Sequence, residues 1–345
     1  MQNQNRLRRA NLSLLASTYQ LSKMKDDVSL NIANAFLQIL FNKENLKVQI
    51  EQLSNNQKQL QRSQELVNAG VVPRGDLLDI KATVASNNQA IVTAENALLI
   101  SKLSLAQLLQ LDNFQDFDII DVNYPVTESA TLLQTPAAIY TKAKEERIEL
   151  KIAKTNLEIA ERDVKIAKGA YQPSIQGFYS LSTRAGYTDR VVFDQFGMPS
   201  FEPPFSVLKQ FDINKGHSFG FQMNIPVLNG FATKNNVAKS KIALDRSKIA
   251  YSQQELDLER NIYTAFTDAK GAMKAYESAI ITLEARQEAY NYSKEKFAVG
   301  LLNAFDLNQS QSLFVNAQSE VVRTKYDYIF RVKVIEYYFG IPIIK

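Results

Sequence analysis

From about Arg6 to Val67 the chain has neither proline nor glycine, and from Lys234 to Phe297 only Gly271 interrupts a second such run. Stretches without breakers have nowhere to turn. Some sixty residues at ~1.5 Å each make a rod of ~90 Å, longer than a globular core can cover. Such rods must lie against other rods, in this chain or in copies of it. Only 12 glycines and 9 prolines occur in all 345 residues, which fits long uninterrupted elements.

Apolar residues recur every seventh position along these runs. Leu46, Leu53, Leu60 and Val67 form one series, and Leu77, Val84, Ile91, Leu98 and Leu105 the next. Later in the chain Tyr276, Leu283, Tyr290 and Phe297 are followed by Leu307, Phe314, Val321, Tyr328 and Ile335. Two heptad runs across a short break predict an antiparallel coiled-coil hairpin, with Gly70 and Gly300 as the left-handed residues that stop a helix. A shift of 230 residues lays 1–111 on 231–341 without a gap. It superposes Asn31-Ile32 on Asn261-Ile262, Ala35-Phe36 on Ala265-Phe266, Gly70 on Gly300 and Asp76-Leu77 on Asp306-Leu307. The chain therefore reads as an internal duplication.

A further helix is expected over 136–170, with Ala143, Leu150, Leu157 and Val164 in heptad register, Pro136 in its first turn and Gly169 and Pro173 at its end. The turn formers Asp112, Asn113, Pro125 and Thr127 make 112–135 an irregular equatorial linker. The other helices are expected over 2–68, 74–110, 232–298 and 303–338. The organisation is a first-repeat hairpin over 1–111, the linker over 112–135 and a second repeat over 136–345.

In two segments the period drops to two. Phe219, Phe221, Met223, Ile225 and Val227 alternate with Gly220, Gln222, Asn224 and Pro226. Ile175, Gly177, Tyr179 and Leu181 alternate more loosely with Gln176, Phe178, Ser180 and Ser182. Strands near 174–183 and 217–227 follow, joined by a long loop over 184–215. One apolar and one small-polar face suits a membrane β-barrel, and also a half-buried hairpin in a soluble sheet, which is the commoner of the two.

Little chemistry is available. There is no cysteine and one histidine, His217, which stands at a strand start with no ligand partner at metal spacing. No nucleophile–base pair or phosphate loop occurs, so neither catalysis nor a cofactor or metal is expected. The charges, 40 basic against 36 acidic, are well mixed, and no basic stripe argues for nucleic acid.

Several of these stretches together resemble the TolC-like outer-membrane efflux factors. They are Arg147–Ser174, the corner Pro226-Val227-Leu228-Asn229-Gly230-Phe231, the tip Phe297-Ala298-Val299-Gly300-Leu301, and the tip Leu66–Gly70 with Pro73–Asp79. The resemblance implies a mainly α fold of long helical hairpins forming an α-barrel, with a small β-hairpin contributing to a transmembrane β-barrel. It implies a homotrimer in outer-membrane lipid with a periplasmic extension, met by a periplasmic adaptor and an inner-membrane pump. The tube is a passive exit duct for efflux or type I secretion. Set against that family, this sequence is expected to be N-terminally truncated, without the signal peptide, first helix and first β-hairpin. The alternative is a periplasmic coiled-coil spacer or adaptor without its own pore. Adaptors normally add a β-rich block, and none is visible.

The resemblance also carries a site. In the family, an aromatic residue three before the tip glycine and acidic residues six and nine after it line the periplasmic aperture. Here these are Phe297, Asp306, Asp76 and Asp79, with Val67 and Gln309 at the remaining matches. The family's tip arginine is not matched by Val72 or Leu302; Arg74 is the nearby candidate. Ala69-Gly70-Val71 and Val299-Gly300-Leu301 match the adaptor-contact tips. Plain helix chemistry also accounts for these residues. Asn303–Asp306 and Asp76–Asp79 have the N-cap to N3 spacing, and the glycines suit ordinary Schellman stops.

Overall fold

The computed structural model describes residues 2–112, 115–120 and 129–342. Asn113, Pro125 and Thr127 of the expected linker lie outside them. The chain order is α1 (Gln2–Asn68), α2 (Arg74–Leu108), a 3₁₀ turn (Ala130–Leu133), α3 (Pro136–Glu146), α4 (Ile148–Gly169), β1 (Ser174–Ser182), β2 (Arg190–Phe193), β3 (Pro199–Glu202), α5 (Val207–Ile213), β4 (Gly216–Asn224), α6 (Ala232–Ala298) and α7 (Ala304–Tyr338). The shift of 230 holds at every boundary: α1 and α6 each have 67 residues, α2 and α7 each have 35. The chain divides into two compact units, 13–156 with 248–345, and 1–12 with 157–247.

In the first unit α1 and α2 run antiparallel, and Asn42 Nδ2 donates to the Ala97 carbonyl at 3.1 Å. The second hairpin repeats this. Ser293 meets Ser310 at 3.2 Å, Tyr290 stacks on Phe314 at 5.5 Å, and Arg331 reaches Asp268 at 2.7 Å. The repeats also touch each other. Leu37 and Leu40 bury against Ile329, Ser319 donates to Asn45, and Gln311 to Asn56, so α1 also runs antiparallel to α7. Burying one Ile or Leu side chain contributes about 1.5–3 kcal/mol, so each such cluster holds several turns together.

The heptad reading located the hairpins but not the whole seam. Leu77, Leu105, Leu307, Tyr328 and Ile335 are buried as the spacing predicts, whereas Leu46, Leu53 and Leu60 are only half-buried. In their stretch α1 buries Gln52, Asn56 and Ser63 instead. Facing two partners, α1 turns a polar row into the seam with α7.

The expected helix over 136–170 is in fact two. Arg147 is extended, at φ −65° and ψ 131°, and ends α3 before α4 starts. The break aims its side chain inward, where Nη1 donates to the Tyr337 carbonyl at 3.2 Å and Nη2 to Glu149 at 2.8 Å. The guanidinium also lies 3.8 Å over the Tyr337 ring. Arg147 thereby caps the C-terminal end of α7, where free carbonyls and the helix dipole favour a cation. Below it Ile139, Ala143 and Leu150 bury against Leu258 and Ile262.

In the second unit Arg9 pairs with Asp163 at 2.6 Å, fixing the start of α1 on α4. β1 and β4 form a two-stranded antiparallel ribbon, Ser174 opposite Asn224 through Ser182 opposite Gly216. β4 stops at Asn224, short of the expected 227, because Pro226 has no N–H to continue the ladder. The loop over 184–215 contains two elements not expected from sequence, the β2–β3 hairpin and the short α5. Gln210, buried, holds the loop by accepting from Gly186 N–H and donating to the Gly186 and Phe205 carbonyls.

Candidate functional site

Both hairpin tips lie in the first unit and are built alike. Gly70 and Gly300 take φ of 73° and 77°, where an L side chain would crowd the next carbonyl. Gly70 N–H reaches the Val67 carbonyl and Val71 N–H the Leu66 carbonyl, at 3.0 and 2.9 Å. Gly300 and Leu301 repeat this onto Phe297 and Lys296, at 3.1 and 2.9 Å. These are paired Schellman turns. They leave Val71, Val299 and Leu301 at 67%, 70% and 75% exposure, with Ala69 also exposed. Apolar tips this open stand ready for a partner surface.

The returning helices differ in how they start. In α7, Asn303 accepts the Asp306 N–H at 2.8 Å, so that spacing is a true cap. In α2 the cap position is Pro73, and no side chain caps it. The Asp76–Asp79 pair is therefore not a capping pair. Asp76 sits in the first turn, where the dipole favours an acid, and Asp79 lies beyond it. Leu77, Ile80, Ala304 and Leu307 are buried and anchor both starts. The side chains of Asp76, Asp79, Asp306 and Arg74 make no ion pair or hydrogen bond among the described residues. Phe297 is half-buried and lines a cavity with Tyr290 and Leu307.

Sequence reading missed Phe305 and Leu78, which extend the exposed apolar surface at 68% and 63%. The signal was there in part, since Leu78 follows the heptad position Leu77 and so turns outward, while Phe305 follows the buried Ala304.

The β1–β4 ribbon sorts its side chains by face. Ile175, Tyr179 and Leu181 share one face with Phe219, Phe221 and Met223, all more than half exposed. Gln176, Ser180, Ser218 and Gln222 occupy the other, with one exposed aromatic among them, Phe178 over Gly220. His217 is no isolated residue, because its Nδ1 lies 2.8 Å from the Tyr179 hydroxyl. An apolar face that open on a polar-backed strand pair is what a barrel strand turns to lipid. No helix among the described residues is long and apolar enough to cross a membrane.

The model of the family described as outer membrane efflux protein matches residues 1–110 and 139–332. The chain belongs to that family. This outer membrane efflux protein is 21% identical over 325 residues to outer membrane protein TolC of Vibrio cholerae, a match covering 91% of this chain and 67% of the relative. Among solved structures, the Vibrio cholerae outer membrane protein VceC superposes with a TM-score of 0.79 at 15% identity, over 98% of this chain and 76% of that one. The Campylobacter jejuni CmeC outer membrane channel gives 0.76 at 17%, over 98% and 68%. The fold is thus that of the outer-membrane efflux channels. This efflux protein is an outer-membrane channel component, from a family of channels rather than enzymes.

Proposed function

We propose that three copies of the protein assemble into one exit duct, the β1–β4 ribbon of each contributing strands to a barrel in outer-membrane lipid and the hairpins forming an α-barrel in the periplasm. Open strand edges are not tolerated in hydrocarbon, so the ribbon's edges pair with further strands of that barrel. The tips Ala69-Gly70-Val71 and Val299-Gly300-Leu301 meet a periplasmic adaptor, which links the duct to an inner-membrane pump. The observation that carries this reading is the pair of matched, exposed apolar tips beside Asp76, Asp79 and Asp306, whose carboxylates have no partner among the described residues. Around a threefold axis these carboxylates form a ring of like charge that concentrates cations and binds hard divalent ions. Phe297 and Arg74 flank it.

Planar-bilayer recording on the reconstituted protein tests the aperture. The triple variant Asp76→Asn, Asp79→Asn, Asp306→Asn keeps side-chain size, and Asn303 still caps α7. Cation selectivity and divalent block should weaken while helix content by circular dichroism is unchanged. Wild-type selectivity and block in the variant would remove the aspartates from the gate. Light scattering in detergent, with the detergent mass subtracted, should give three chains per particle.

A further inference from the structure

A cavity of about 220 Å³ opens between α1 and α6 in the last turns before the tips. Lys58 and Arg62 line it from α1, Lys294 from α6, and Tyr290 and Phe297 form its aromatic side. Among the described residues that line it there is no carboxylate. The three cations make no ion pair or hydrogen bond among the described residues. Gln59 adds a second, independent sign: its Nε2 is buried in the wall with no acceptor.

The cavity therefore holds a surplus of donors and positive charge. A buried donor left without an acceptor is unfavourable, and three like charges round one small volume repel, although water screens them because all three residues are exposed. No described lining residue supplies the opposite charge. A carboxylate would, because it accepts several N–H bonds at once and pairs in the fork geometry with arginine. Tyr290 is held in place by its stack on Phe314, at 5.5 Å and 10° between rings. Burial pushes its phenol pKa up, so it stays a neutral donor. The volume is below that of drug-sized pockets and suits one substituted ring or one acidic side chain.

We propose that this cavity is an anion site that binds carboxylate groups, borne by a small aromatic acid or by an acidic side chain of a partner helix. The site goes beyond the aperture reading and does not depend on it.

Isothermal titration of the full chain in detergent tests it with two probes. One is benzene-1,3,5-tricarboxylate; the other is a monomeric helical peptide with three glutamates on one face. At least one should bind saturably, and more weakly when salt rises from about 0.05 M to about 0.5 M. Arg62→Gln and Lys294→Gln, which keep most of the exposed stems, should each weaken binding roughly tenfold. Lys81→Gln, on α2 and outside the cavity, should not. Binding of the acid alone identifies a small-molecule site, and binding of the peptide alone a partner's side chain. The proposal is overturned if neither probe saturates, if the neutral tricarboxamide binds as well as the acid, or if Lys81→Gln weakens binding as much as Arg62→Gln.

Discussion

Gln110 and Gly340 stand 230 positions apart and close α2 and α7 with the same left-handed turn, at φ 54° and 89°. Gln110 N–H bonds the Gln107 carbonyl and Leu111 N–H the Ala106 carbonyl, at 3.1 and 3.0 Å; Gly340 and Ile341 repeat this onto Tyr337 and Glu336 at 3.1 and 2.9 Å. Only glycine takes that conformation without Cβ crowding. Gln110→Gly should therefore stabilise the protein, by about 0.5–1 kcal/mol after the loss from a freer unfolded chain. Gly340→Ala should destabilise it by more than that, because an alanine is strained at φ 89°, whereas the flexible Glu146 carboxylate near the new Cβ can swing aside. Thermal melts of helix signal in detergent measure both.

Gln311 donates to Asn56 across the α1–α7 seam, and both residues are 2% exposed. Asn56 Nδ2 and Gln311 Oε1 still lack partners. Asn56→Leu strands the Gln311 amide and should cost about 1–3 kcal/mol. The double change to leucine removes every orphan and should recover wild-type stability or exceed it. A double variant no more stable than the single one would show that the pair is worth more than its burial costs.

Arg147 is 6% exposed. Burial pulls its pKa down, but the bonds to Glu149 and to Tyr337 more than reverse this, and the guanidinium is held charged. Tyr337 itself is pushed up to about 12, chiefly by burial, and stays neutral. Arg147→Met should cost about 3–5 kcal/mol, since it leaves Glu149 without its cation and the end of α7 without its cap. Arg147→Lys should recover only part of that, because an ammonium lacks the planar fork that serves both partners. Urea titration of the helix signal separates the three proteins.

Asp118 bridges Lys43 on α1 and Lys102 on α2, at 2.9 and 3.2 Å. Partial burial opposes its ionisation, but hydrogen bonds from Lys43, the Ile119 N–H and Lys102 outweigh this and set its pKa at about 2. An unfolded aspartate titrates near 3.9, so this contribution is full above about pH 4 and is lost as pH falls towards 2. The carboxylate side chain is 54% exposed, which limits the bridge to roughly 1 kcal/mol or less. Asp118→Asn should flatten that part of the stability–pH curve and change little at neutral pH.

The long helices and the two tips were legible because breakers and heptads act locally, and Gly70 and Gly300 mark the turns themselves. The division at Arg147 was not. Residues 136–170 carry an unbroken heptad, and what ends α3 is a carbonyl 190 residues away. The polar row of α1 was hidden for a similar reason, since Asn56 reads as surface until Gln311 stands opposite it. The cavity cations were missed because Lys58 and Arg62 look like one solvated face of α1, and only the approach of Lys294 on α6 sets them together.

The β1–β4 ribbon carries two glycines, each opposite an aromatic ring on the partner strand. Phe221 lies against Gly177, and Phe178 against Gly220, so that a Cβ at either glycine would come within 3.3 and 3.0 Å of the facing ring and push it aside. A slip of two residues would set both rings against side chains and uncover both glycines, which favours the observed pairing over it. In a closed barrel the stagger between neighbouring strands fixes how far they lean from the axis and how wide the barrel is. In the proposed assembly these two small residues of each copy help to decide the diameter of the hole through the outer membrane.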